Sequence, residues 1–69
     1  MVQTEDIDAI KRRIVELQVE HRDLDQIIDM LMSQAGADQL QIRRLKKRKL
    51  QIKDSITLLQ IQIEPDIPA

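Results

Sequence analysis

The sequence predicts an all-α protein, an antiparallel two-helix hairpin with coiled-coil-like packing that dimerises into a four-helix bundle. Three observations predict it. Apolar residues recur at alternating steps of three and four in both halves of the chain. The halves are separated by SQAGAD, residues 33–38, which carries the only glycine. The composition is that of long helices: a third of the residues are charged, 42% are apolar, none is aromatic, and both prolines fall at the extreme C-terminus. Sixty-nine residues make one domain, 1–69.

The first helix is expected over about residues 5–34. Its stripe reads Ile7, Ile10, Ile14, Leu17, His21, Leu24, Ile28, Leu31, a heptad pattern in which His21 is the polar occupant. Thr4 suits the N-cap, and Glu5, Asp6 and Asp8 place negative charge near the positive end of the helix dipole. A turn is expected at 35–38. Gly36 suits the left-handed C′ position that ends helices, and Asp38 suits an N-cap, with Gln41 three residues on to complete a capping box. The second helix is expected over about 39–63, with the stripe Ile42, Leu45, Lys49, Ile52, Ile56, Leu59, Ile63 and Lys49 as its polar occupant. Pro65 stops it, and residues 64–69 form an extended tail. That tail is a frayed terminus unless Ile67 packs back near Ile7 or Ile10.

Folding the chain at Gly36 aligns the two stripes in one register. Leu31 meets Ile42, Ile28 meets Leu45, Leu24 meets Lys49, His21 meets Ile52, Leu17 meets Ile56, Ile14 meets Leu59 and Ile10 meets Ile63; every pair of numbers sums to 73. A single continuous helix is the competing arrangement, and the punctuation at Gly36–Asp38 argues against it. Seven layers on a two-helix rod leave most of its circumference wet. Val15, Val19, Ile27, Met30, Leu40, Leu50, Leu58 and Ile61 lie off the seam. Together they predict self-association, most simply a twofold dimer; the alternative is a different protein partner.

Composition excludes several classes. With no cysteine there are no disulfides and no thiolate metal sites. The absence of Phe, Trp and Tyr removes base-stacking platforms. MVQTEDIDAI has no apolar core of a secretory signal, Val2 does not suit myristoylation and IPA is no prenylation box. No apolar run approaches a bilayer span, so no membrane association and a cytoplasmic location are expected.

RRLKKRKL, residues 43–50, sets six cations in eight residues of a chain with net charge −1. Lys49 occupies a core layer opposite Leu24, where its stem packs while its ammonium reaches water and helps to set register. Lys46 lies beside the seam facing Asp25, with Glu20, Asp23 and Asp29 nearby. Arg43, Arg44, Lys47 and Arg48 point outward and are the candidate contacts for an anion or nucleic acid. The preferred reading of the stretch is a solvated, partly salt-bridged face that keeps the helix soluble and fixes the pairing. The sharper reading is a non-specific, salt-dependent site for nucleic acid, which a dimer would double. An anionic membrane surface ranks last, because no Trp or Phe is present to insert.

His21 sits in the seam with Asp25 one turn on. A histidine there could act as a pH switch, but a seam histidine with its polar edge turned outward is the preferred reading. The spacing of His21, Asp25 and Asp29 offers too few convergent ligands for a metal site. The hydroxyls Thr4, Ser33, Ser55 and Thr57 have no base paired with them in sequence, and there is no glycine-rich phosphate loop. No enzymatic activity, cofactor or metal is expected.

EHRDLDQIIDML (20–31), a short glycine-containing turn, and DQLQIRRLKKRKLQIKDSI (38–56) together resemble the YdcH-like family of short bacterial proteins, a family of unknown function. The ending EPDIPA is similar to the P-D-I-x-A tail of its shorter members, so the resemblance runs from about Ile14 to the end. It implies a helical hairpin and a bacterial source, and no reaction. Some longer members carry aromatic residues in an extended N-terminal part, which this chain lacks. The function expected is that of a small structural or interaction protein.

Overall fold

The computed structural model describes the backbone of residues 4–63 and the side chains of residues 6–63. The capping role expected of Thr4 and the docking expected of Ile67 lie outside the described residues.

Two α-helices form, α1 at Thr4–Met32 and α2 at Gln39–Ile63, and they pack against each other as a hairpin. Both sequences are rich in straight-chain helix formers, and neither has an internal glycine or proline. The molecule is a rod with extents of 51 × 26 × 16 Å. Its radius of gyration is 15.6 Å, against about 11 Å for a compact domain of this length.

The apolar steps do what their period requires. Every stripe residue from Ile7 to Ile63 is buried or half-buried. Ile14, Leu17, Ile28, Ile42 and Ile52 form the core, and Ile52 is the most buried at 1% exposure. Off the stripe the chain is wet. Val15, Val19, Ile27, Met30, Met32, Leu40, Leu50, Leu58 and Ile61 are 43–62% exposed. These are the eight residues expected off the seam together with Met32.

The turn is longer than the expected 35–38. Helix α1 ends at Met32 rather than near residue 34. The Ser33 amide still donates to Asp29 in helical fashion, but the Gln34 amide bonds to Leu31, which tightens the turn. The Ser33 hydroxyl also donates to the Met30 carbonyl at 2.7 Å. A serine bonding a local carbonyl in this way competes with helix continuation. Gly36 does adopt a left-handed backbone, with φ of 77°. It reverses the chain within the connection and is not the C′ residue directly after the helix.

Asp38 caps α2. Its Oδ1 accepts from the amides of Leu40 at 2.9 Å and Gln41 at 3.3 Å. That satisfies two of the four amides a helix start leaves unpaired. The reciprocal bond of a capping box, from the Asp38 amide to the Gln41 side chain, does not form among the described residues.

Candidate functional site

Helix α2 has no acidic residue between Gln39 and Ile52 and seven cations between Arg43 and Lys53. Helical periodicity distributes them around α2. Lys49 falls in the seam, Arg48 on one flank, and Lys46 and Lys53 on the other. Arg43 and Arg44 lie further out, with Lys47 opposite the seam.

Two of the seven are tied to α1. Lys49 is half-buried, and its Nζ donates to Asp25 Oδ1 at 2.7 Å. Arg48 Nη2 reaches Glu20 Oε1 at 3.2 Å, with both side chains about half exposed. The remaining five, Arg43, Arg44, Lys46, Lys47 and Lys53, are exposed and make no ion pair among the described residues.

This sorting corrects two expectations. Asp25 is answered by Lys49 and not by Lys46. The Lys49 stem lies in the seam, so its ammonium emerges beside the flank that carries Asp25, and the pair stays within one residue of the register summing to 73. Arg48 does not stand free as an outward contact, because it shares a flank with Glu20. Glu20 directly precedes the seam residue His21 and Arg48 the seam residue Lys49, which puts both on the same flank of an antiparallel pair, so the heptad spacing alone carried that signal. A third ion pair, Arg13 to Glu16 at 3.3 Å, lies within α1 at a spacing of three.

The hydrogen bond from Lys49, and then its charge, hold the exposed Asp25 carboxyl below its usual range; slight desolvation opposes the shift, and the nearby His21 adds to it. His21 is half-buried at its seam position and makes no hydrogen bond to Asp25. Among the described residues no group of three or more His, Cys, Asp or Glu is placed to hold a metal ion. The hydroxyl of Thr57, like that of Ser33, is spent on a carbonyl of its own helix, that of Lys53 at 3.1 Å. Ser55 lines a depression with Arg13, Leu17, Leu58, Leu59 and Gln62, where the two helices meet near the open end. A second depression lies on α1 alone, over Lys11, Arg12, Val15 and Glu16. Both are wide open to solvent. Among the described residues no helix is long and apolar enough to cross a membrane.

A paired seam and a cation-rich second helix define a helical-hairpin protein. A family model described as "Protein of unknown function (DUF465)" matches residues 14–60, more than half of the chain, and the chain belongs to this family, the YdcH-like family of small proteins. The match starts at Ile14 and ends at Gln60, short of the EPDIPA ending. No curated protein and no solved structure matches the chain.

Proposed function

We propose that the protein is a non-catalytic interaction module that works as a self-associated helical hairpin, most simply a twofold dimer forming a four-helix bundle. One observation carries this reading: nine large apolar side chains are exposed on a rod whose core has five. Scattered single apolar residues are ordinary on a protein surface. Here several come as neighbours on one helix face, Val15 with Val19, Ile27 with Met30, and Leu58 with Ile61. They lie on more than one side of the hairpin, so a second hairpin packed against one side would cover the pairs on that side and leave the others exposed. Light scattering across a concentration series should give about 16 kDa, twice the chain mass of 8.1 kDa. Val15→Glu with Val19→Glu, or Leu58→Glu with Ile61→Glu, whichever pair lies on the covered side, should shift the mass toward the monomer. A monomer at every concentration sinks the self-association and leaves these residues to a different protein.

A second reading is sequence-independent binding of nucleic acid by the stretch 43–53. The favouring observation is that five of its seven cations have no ion-pair partner among the described residues.

A further inference from the structure

We infer that the outer ridge of α2, Arg43, Arg44 and Lys47 with Lys46 and Lys53 along one edge, is a site for the phosphate backbone of double-stranded nucleic acid. The inference rests on the nucleic-acid reading and deepens it, assigning the contact residues and the form of the ligand.

The two cross-helix ion pairs prepare the ridge. Glu20 and Asp25 are the α1 carboxylates that reach α2, and Arg48 and Lys49 neutralise them. The cations left over therefore face solvent without a carboxylate in contact. The net charge of −1 does not oppose this, because the charge is unevenly divided: α2 carries seven of the eleven cations and one acid, Asp54, while α1 carries four cations and eight of the twelve acids. A polyanion responds to the local field of the ridge, which screening confines to about 10 Å at ordinary salt.

The ligand's form follows from rigidity and from the missing aromatics. Arg43 to Lys53 is a row about 15 Å long on a helix that does not bend to fit. A duplex offers fixed phosphates at one negative charge per about 1.7 Å of axis, so a stiff row can meet several at once. A single strand must be ordered on binding and is ordinarily held by stacking its bases on aromatic rings, of which the chain has none. A lipid surface would need apolar side chains interleaved with the cations. Leu40 and Leu50 do fall on the ridge, seven residues from Lys47 and Arg43, but from Gln39 to Lys53 these two exposed large apolar side chains stand against five cations without an ion pair among the described residues.

The test uses the full chain and fluorescence anisotropy, with a labelled DNA duplex of about 20 base pairs of arbitrary sequence, at salt from about 50 to 200 mM. The probe set is completed by one strand of that duplex and by phosphatidylglycerol vesicles. The wild type should bind the duplex at low salt, at least as tightly as the single strand, and release it as salt rises. Arg43→Gln, Arg44→Gln and Lys47→Gln together should weaken binding at least about tenfold and lower the salt slope by about 2–3, at about 0.9 for each phosphate no longer neutralised. Circular dichroism checks that this variant is helical. The charge-preserving set Arg43→Lys, Arg44→Lys and Lys47→Arg should retain both affinity and slope, and Arg48→Gln should change little.

No duplex binding by the wild type at low salt ends the nucleic-acid reading itself. If the duplex binds but the triple variant keeps its affinity and slope, or Arg48→Gln alone abolishes binding, that reading stands and this site is wrong. A tenfold preference for the single strand overturns the duplex as ligand. Tighter binding to vesicles than to the duplex makes the ridge a membrane-surface contact instead.

Discussion

In the half of the rod next to the turn, Arg48 reaches Glu20 and Lys49 reaches Asp25, Asp38 caps α2, and Gly36 reverses the chain. In the open half the apolar steps continue, but the ion pair there, Arg13 to Glu16, stays within α1. Burial does not separate the halves: Ile14 and Leu17 are buried in the open half as Ile28 and Ile42 are near the turn, and the remaining seam residues of both halves are half-buried. One half is held by a repetitive apolar seam plus specific polar contacts, the other by the seam alone. Apolar layers repeat every heptad and tolerate a slip; a paired lysine does not, because a slip leaves its charge against an apolar side chain. Exposed ion pairs contribute little stability singly. Their effect here is on specificity: they mark which register the repetitive seam adopts.

The comparison is broken most severely in the core. Ile52→Ala removes the most buried side chain of the rod. A loss of about 2–5 kcal/mol is expected, enough to unfold so small a domain. Ile10→Ala, at a half-buried open-end layer, should cost clearly less because solvent already reaches the site. Circular dichroism melts of the two variants measure the contrast, and equal losses would mean that the open end is packed as tightly as the centre. Amide exchange refines it: the first two turns of α1 should exchange faster than those around Ile28 and Leu45.

The turn supplies the next two effects. A Cβ on Gly36 would meet nothing within 4 Å, so Gly36→Ala tests backbone conformation alone. At φ of 77° the expected cost is about 1–2 kcal/mol. Gly36→Asn should recover part of it, because asparagine tolerates this region. Asp38→Ala removes the acceptor of two helix-start amides and should cost about 1 kcal/mol. If Gly36→Ala melts no lower than Asp38→Ala, the connection has relaxed into another conformation.

How much of this was legible in the sequence depended on the periodicity of the signal. The stripe from Ile7 to Ile63, the off-seam residues and the Asp38 cap could be read directly, because helical geometry fixes which residues share a face and a carboxylate two or three residues before free amides has one thing to bind. The end of α1 could not, since Ser33 can either continue a helix or bond a carbonyl behind it, and only the settled backbone decides. The partners of the basic stretch were half legible. Arg48 and Glu20 share a flank by their heptad positions, but Asp25 had two lysines within reach. The choice of Lys49 over Lys46 depends on where a long flexible stem comes to lie, which no residue pattern encodes.

The smallest effect tests that choice. Lys49 holds the folded Asp25 carboxyl below its usual range, so the folded state binds the Asp25 proton less readily than the unfolded chain does. The contribution of Asp25 is therefore complete above the unfolded carboxylate value of about 3.9 and declines as pH falls below it. It is gone once the pH is below the folded value. Asp25→Asn should melt lower than the wild type at neutral pH and equally with it in strong acid, while Lys46→Gln should leave the acid dependence unchanged. Lys49→Met sharpens the point. It removes the same pair but adds an apolar side chain to a seam layer, so its melting temperature should hold or rise while the acid dependence attributed to Asp25 disappears. If Lys46→Gln removes that dependence and Lys49→Met does not, Asp25 pairs with Lys46 in solution, and the register is not marked by the seam lysine.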